Sequence, residues 1–355
     1  MQTAVTGGNG FVGSALCLRL RELGHEVRAI VRAGASASGE PARLVQAGVQ
    51  VLGAELADPN SLAAAFAGVE VVFHCAAEGG FHALPEALSW INVAGTENVL
   101  KAARHAGLRR VVQLSCANAS LLGRARVHWK ENGALGQAPL GALARSQLLA
   151  EELALHASDG RLAVLAVRPA WLWGPGERNN LAELAAEARS GGVKLFASGN
   201  ALFSSAHVDN VVAALIAAGR SEQGAGQAFH VADPDYLTTG EFFSQLARAL
   251  RWPPPRRGLY ALEYASAWLR RARSAPGPWP EQVARRGRAS LLDCLQANTL
   301  LGFAPHKTVE QGMHELAAWG QAFPDPGALE RLARPIAGAA EIAHCVKIAD
   351  AVKEA

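Results

Sequence analysis

Apolar positions come in short unbroken runs through the first half of the chain, separated by longer stretches with helical periodicity. The runs at Gln2–Thr6, Glu26–Val31, Val49–Leu52, Val69–Cys75, Arg110–Ser115 and Leu162–Val167 predict strands. They are apolar throughout instead of alternating, as expected of parallel strands covered by helices on both faces. Between them the periodicity predicts helices over Phe11–Leu23, with Gly24 just past the end, and over Asn60–Phe66 after Pro59. Two longer helices are predicted over Leu84–His105 and Leu140–His156. Strand and helix in regular alternation specify an α/β fold, a doubly wound parallel sheet of the Rossmann kind.

After Arg168-Pro169 the rhythm breaks. Helical stretches at Leu181–Ser190, Val208–Ala218, Thr239–Leu250 and Leu259–Arg271 mix with short strands at Val193–Phe196 and Gln227–Val231. Pro253-Pro-Pro255 and the prolines between 276 and 280 punctuate this part. The expected organisation is a dinucleotide-binding domain over 1–170, to which 206–231 returns. A smaller C-terminal substrate lobe over 171–320 closes on the sheet's C-terminal edge, and 321–355 form a helical tail. No repeat or low-complexity tract interrupts the chain.

Half of the 355 residues are hydrophobic and 18% are charged, enough apolar surface for a sizeable core. The net charge of +3 is mild, and the one basic cluster is Arg270, Arg271, Arg273, Arg285, Arg286 and Arg288. Without an interleaved aromatic run it reads as solvated surface, which argues against a nucleic-acid partner. Cys17, Cys75, Cys116, Cys294 and Cys345 are odd in number and lack metal-ligand spacing, so reduced thiols and no metal are expected. No apolar run is long enough to span a bilayer, and the first strand begins almost at Met1. A soluble cytoplasmic protein is the expectation.

Thr6-Gly-Gly-Asn-Gly-Phe-Val-Gly13 lies between the first strand and the first helix, the setting that gives a glycine pattern its meaning. Gly7 permits the tight turn, Gly10 admits a pyrophosphate to the backbone, and Gly13 lets helix and strand pack closely. The helix start at Phe11 and Val12 offers its positive dipole end. Where an acidic residue would hold a ribose 2′-hydroxyl, at the end of the second strand, the chain has Arg32. An arginine there suits a 2′-phosphate, so NADP(H) is favoured over NAD(H).

Further motifs follow in order. They are Leu56-Ala-Asp58-Pro, Val71-Val-Phe-His-Cys-Ala-Ala77, Asn92-Val-Ala-Gly-Thr-Glu-Asn98 and Arg110-Val-Val-Gln-Leu-Ser115. Beyond these come Arg168-Pro-Ala-Trp-Leu-Trp-Gly-Pro-Gly176, His207-Val-Asp-Asn210, Leu301-Gly-Phe-Ala-Pro305 and Thr308-Val-Glu-Gln-Gly312. Over roughly residues 1–320 the chain resembles the extended short-chain dehydrogenase/reductases. Within them it is most similar to the 3β-hydroxysteroid dehydrogenase and NAD-dependent epimerase/dehydratase branch, bacterial β-keto acid reductases included. The resemblance implies Glu55, Leu56 or Asp58 near the adenine, Ala76 and Ala77 along the cofactor, Pro169 at the nicotinamide end, and Asn92 as a structural residue. It also implies a homodimer through the two long helices.

That family moves its proton with Ser or Thr, Tyr and Lys, and the chain departs at all three places. Cys116, with Ser115 beside it, stands at the first; Leu143 and Gln147 occupy the Tyr and Lys positions, a register fixed by Ala150-Glu151-Glu152. Leu exchanges no proton and Gln carries no charge to tune one, although Gln147 can still bond the nicotinamide ribose. Substitute groups from the sequence are Glu78 and His82 after the fourth strand, and His128 with Lys130 before the Leu143 helix. Trp171, Trp173, Phe203, Tyr260 and Trp268 either line an apolar pocket or pack as the core of the lobe. The expected function is an NADP(H)-dependent oxidoreductase acting on a small hydrophobic alcohol or ketone, steroid-like or keto-acid-like, through a non-standard site. The alternatives are a catalytically inactive dinucleotide-binding scaffold, sensor or partner subunit, and a non-redox cyclase or dehydratase on the same fold.

Overall fold

The computed structural model describes residues 1–32, 34, 39–117, 124–132, 139–273 and 277–332, with the single positions 343 and 347. Cys345, Pro276 and nearly all of the expected tail beyond 332 lie outside the described residues. Seven strands form the main sheet: β1 (Gln2–Thr6), β2 (Glu26–Val31), β3 (Gln50–Gly53), β4 (Val71–His74), β5 (Arg110–Leu114), β6 (Ala163–Pro169) and β7 (Ala228–Val231). Their spatial order is β7-β6-β5-β4-β1-β2-β3, and every pairing is parallel. The chain winds outward from β1 in one direction, then returns to β4 and winds in the other. The crevice between β1 and β4 is therefore the switch point where such sheets bind ligands.

Both faces are covered, which explains the unbroken apolar strands. Helices α1 (Phe11–Glu22), α2 (Glu40–Gln46), α3 (Pro59–Phe66), α4 (Gly95–His105), α5 (Ala142–His156) and α6 (Val208–Arg220) alternate with the strands. On one face Leu16 and Leu20 of α1 and Val211 and Leu215 of α6 pack with Val5, Phe73 and Leu165 of the sheet. On the other, Leu62 and Phe66 of α3, Val99 and Leu100 of α4 and Ala154 of α5 pack with Ala4, Val72 and Val164. β7 extends the sheet beside β6 after the chain has left for the lobe and come back.

Three local features depart from the sequence pattern. The stretch read as one helix over Leu84–His105 is a helical turn at Pro85–Leu88, a π-helical turn at Ser89–Ala94 and then α4. α2 was not indicated by the sequence, and Arg126–Trp129, where no strand was indicated, is a short strand pairing with Ser290–Leu292. In the lobe, Trp171, Trp173, Phe203, Phe242 and Phe243 form a tight aromatic core with largely edge-on contacts, such as 5.3 Å between the Trp173 and Phe242 ring centroids. Trp268 instead stands 47% exposed. The short helix Pro326–Glu330 follows the lobe, tied to it by an Arg189–Glu330 ion pair of 2.9 Å.

A buried hydrogen-bond chain ties the strand ends beneath the crevice. Thr6 Oγ1 lies 2.7 Å from His74 Nδ1, and His74 Nε2 lies 3.0 Å from Thr96 Oγ1. Thr96 donates to the Asn92 carbonyl at 2.6 Å, which leaves its oxygen to accept from His74 Nε2–H and makes Nδ1 the acceptor for Thr6. Asn92 Nδ2 then donates to Ser146 Oγ at 3.0 Å, and Ser146 to the Leu143 carbonyl at 2.8 Å. The network needs a neutral His74, and burial pushes its pKa down to about 4. His230, also buried, is pushed down to about 3. Below an ordinary histidine pKa near 6.5 the unfolded chain binds more protons than the folded one, so stability falls as pH drops from 6.5 toward 4. Between pH 7 and pH 5 each histidine is expected to remove about 2 kcal/mol, measured by urea unfolding at the two pH values. His74→Gln should remove about half of that dependence, leaving the share of His230; an unchanged slope would sink the assignment.

Candidate functional site

The glycine turn is shaped by close approach. Gly7 has φ +65°, and a Cβ there would stand 2.8 Å from Ala76 Cα; a Cβ on Gly13 would stand 2.2 Å from the Gly7 carbonyl oxygen. Gly10 N–H donates to that same oxygen at 2.8 Å and Gly10 caps α1 without any side-chain hydrogen bond. No acidic residue occupies the first turn of α1. The amides of Phe11, Val12 and Gly13 thus present an uncompensated positive end, which suits a pyrophosphate. They open on a cleft of about 670 Å³ bounded by Asn9–Gly13 on one side and Pro175–Asn179 on the other.

Arg32 is exposed, one residue past the end of β2. Glu55 and Leu56 follow β3; the Leu56 carbonyl accepts a 2.8 Å bond from Asn98 Nδ2. These three lie at strand ends, outside the lining of the cleft. The Asp58 carboxylate is engaged as the cap of α3, accepting from Asn60 N–H at 2.9 Å.

A second cavity of about 190 Å³ continues from the cleft, sharing Cys75, Leu114, Leu172, Glu177 and Asn179 with it. Here the structure brings together Ala76, Ala77, Ser115, Cys116, Leu143, Gln147 and Pro169. Leu143 and Gln147 sit one turn apart on α5, so both side chains share a face. Leu143 is buried against Phe81, Ala83 and Leu88. Ser115 Oγ and Gln147 Oε1 are both buried without a hydrogen-bond partner. Gln113 Oε1 and Arg285 Nε, on residues of the same lining, share that state. Buried polar atoms left unsatisfied are costly, and several around one cavity mark groups a ligand completes.

The other sequence-derived groups lie elsewhere. Glu78 curls back on its own turn, accepting from Gly80 N–H at 2.7 Å, while Asn92 clamps its backbone with bonds of 2.8 and 3.1 Å. His82 is edge-on to Trp279 at 4.4 Å, and burial lowers its pKa against the opposing pull of Glu281. His128 is exposed on the Arg126–Trp129 strand with φ +52°. None of the three lines the second cavity.

Two charged lining residues were not assigned to the site from the sequence. Glu177 is buried at the junction of the two cavities, accepting from Asn179 and Leu181 N–H at 2.9 and 2.7 Å. Burial raises its pKa against those amide bonds; an acid just before a helix start was the available signal. Arg285 is the second, and it corrects the reading of the arginine cluster as solvated surface. Arg286 is 5% exposed and paired with Glu187 at 2.6 Å. Arg285 donates to Asn180 Oδ1 at 3.0 Å and lies over Phe81 at 4.8 Å, its pKa pushed down to about 10 by burial. The helix Pro280–Gly287 turns these guanidinium groups inward because acids of the helix Asn180–Arg189, Glu183 and Glu187, wait there. Among the described residues His207, Asp209 and Glu315 also cluster, but Lys307 already pairs with both carboxylates.

The chain is similar over nearly its whole length to proteins of known activity. It is 31% identical to the 2-alkyl-3-oxoalkanoate reductase of Stenotrophomonas maltophilia, across 90% of this chain and 99% of that one. It is 30% identical to the 4-hydroxy-2-methyl-3-oxo-4-farnesyl-3,4-dihydroquinoline-1-oxide ketoreductase of Stigmatella aurantiaca, covering 91% and 97%. Among solved structures, MoeE5 in complex with UDP-glucuronic acid and NAD superposes with a TM-score of 0.69 at 25% identity, covering 91% of this chain and 99% of MoeE5. Residues 3–232 match the model of the NAD dependent epimerase/dehydratase family, and the chain belongs to that family, within the extended short-chain dehydrogenase/reductases.

Proposed function

We propose that the protein is an NADP(H)-dependent oxidoreductase that interconverts a ketone and an alcohol on a small hydrophobic compound without a Tyr–Lys pair. The observation that carries this is the continuous groove. It runs from the uncapped start of α1 to Ser115 Oγ and Gln147 Oε1, two buried polar atoms with no partner. The ketone-reducing relatives support the same reading. When bound, the nicotinamide supplies or accepts the hydride. Ser115 O–H donates to the carbonyl oxygen and polarises it, and Gln147 Oε1 accepts from a ribose hydroxyl. Among the described lining residues the acids are Cys75, Cys116 and Glu177. Burial pushes Cys75 up to about 12. The same effect raises the Glu177 carboxyl above its ordinary value, which favours its protonated, proton-donating form.

The test is fluorescence titration with NADPH and NADH, followed by cofactor oxidation with branched 3-oxo acids and bicyclic ketones. NADPH is expected to bind more tightly, with the margin lost in Arg32→Ala. Ser115→Ala should lower kcat about 10²-fold while leaving NADPH affinity in place. Failure to bind either cofactor would overturn the reading. The apolar packing of Leu143 favours one second reading, a dinucleotide-binding protein without turnover. Tight NADPH binding with no reduction of any ketone tried would select it.

A further inference from the structure

Next to the second cavity lies a small one of about 40 Å³, and Ala170 and Arg285 line both. Its described lining contains Arg124, Arg126, Arg285 and Arg288 and not one carboxylate. Arg126 is the anomaly. It is 9% exposed, and its Nε, Nη1 and Nη2 all lack a hydrogen-bond partner. Its guanidinium stacks on Trp129 at 3.2 Å from the ring centroid, which occupies a face of the group and leaves the in-plane N–H donors unsatisfied. Three more buried donors without partners line the same space: Trp129 Nε1, Trp171 Nε1 and Arg285 Nε.

Six unpartnered donor nitrogens on the lining of one cavity are a costly arrangement for an empty protein, since each buried donor loses its water and gains nothing. A buried guanidinium without a counter-ion costs still more. Burial pushes the Arg126 pKa down to about 10, and the neighbouring charge acting on it, Arg124, has the same sign. Arg285 differs in having Glu183 and Glu177 to offset its charge. What is missing around Arg126 is an acceptor, and an anionic one.

We infer that this cavity is the anion subsite of the substrate pocket and takes the carboxylate of an acidic substrate. The inference rests on the oxidoreductase reading, which it narrows: the reducible carbonyl sits by Ser115, and the acid passes Ala170 and Arg285 to reach Arg126. A water needs only about 10–15 Å³ of such space, so a cavity of about 40 Å³ has room for one small oxyanion group. A planar guanidinium offers paired parallel donors that match a carboxylate. A free inorganic phosphate shares the chemistry, and the experiment separates the two sources.

The test uses protein saturated with NADPH, so that the start of α1 does not compete for the anion. Calorimetry compares decanoate with decanol and methyl decanoate, and then inorganic phosphate, on the native protein, Arg126→Met and Arg126→Lys. Decanoate is expected to bind at least tenfold more tightly than its neutral analogues. The preference should vanish in Arg126→Met and return in part in Arg126→Lys. Arg126→Met relieves an unpaired buried charge, so its melting temperature should equal or exceed that of the native protein without decanoate. Phosphate that binds, depends on Arg126 and displaces decanoate would keep the oxyanion site but assign it to a free anion instead of the substrate. Equal binding of acid and ester, with no Arg126-dependent binding of phosphate, would overturn the proposal. Ketone reduction that persists alongside that result would leave the oxidoreductase reading standing; acid binding without reduction would do the reverse.

Discussion

Arg168→Met is expected to cost about 3–5 kcal/mol of folding stability, among the largest losses available to a single substitution in this chain. Arg168, in β6, donates from Nε and Nη2 to the two carboxylate oxygens of Glu151 at 2.7 and 2.5 Å, and from Nη1 to the Glu131 carbonyl at 2.7 Å. Both side chains are almost wholly buried, at 8% and 1% exposure. Removing the guanidinium strands a carboxylate in the interior, where it must be left unpaired or take up a proton. Glu151 lies on α5 eight residues after Leu143 and four after Gln147, on the same helical stripe. The ion pair therefore sets how α5 sits against β6, and with it the placement of the pocket residues Leu143, Gln147 and Pro169. Urea unfolding measures the loss directly. The double variant Arg168→Met with Glu151→Met should recover most of it, because a matched apolar pair removes both charges at once. A loss under about 1 kcal/mol, or no recovery in the double variant, would show that the pair is not what anchors α5.

The parallel sheet was legible because its strands are buried on both faces, so the apolar runs stand out and helical periodicity fills the gaps between them. The glycine turn was legible for a related reason: Gly7 and Gly13 are required by backbone contacts within a few residues or across one strand pair. What stayed hidden depends on distant partners. The Arg126–Trp129 strand reads Arg-Val-His-Trp, and its burial runs against its polarity, with Arg126 buried and Val127 exposed; it exists through pairing with Ser290–Leu292. The inward turn of Arg285 and Arg286 depends on Glu183 and Glu187, about a hundred residues earlier, so local sequence could show only a basic cluster. The π-helical turn around Asn92 likewise has no compositional mark; Asn92 reaches Glu78 and Ser146 from it. In the site, Leu143 and Gln147 could be placed on one face of a helix by spacing alone, and both line the second cavity. The free hydroxyl of Ser115 and the buried Glu177 became visible only with the groove in place.

Building a Tyr–Lys relay on α5 is expected to change catalysis more than any other substitution. Leu143→Tyr with Gln147→Lys sets a phenol and an ammonium one turn apart on the face of α5 that lines the second cavity. The nearby ammonium lowers the phenol pKa, and Ser115 Oγ, buried and without a partner, is already in place to orient a carbonyl. A correctly placed general acid contributes about 10²–10⁴-fold. If the native chain binds NADPH but reduces ketones slowly or not at all, the double variant should gain within that range, with a new pH dependence set by the phenol. Adding Cys116→Ser tests whether a second hydroxyl helps. Single variants are the control: Gln147→Lys alone supplies a charge with no proton donor to tune, so it should gain little. The contrary result carries equal weight. If the native protein turns over a ketone and the double variant is slower with NADPH affinity unchanged, then the apolar wall of Leu143, Phe81, Ala83 and Leu88 is part of a working site. The proton in that case comes from a group already lining the cavity, and Glu177→Gln and Cys116→Ala in the native background distinguish which.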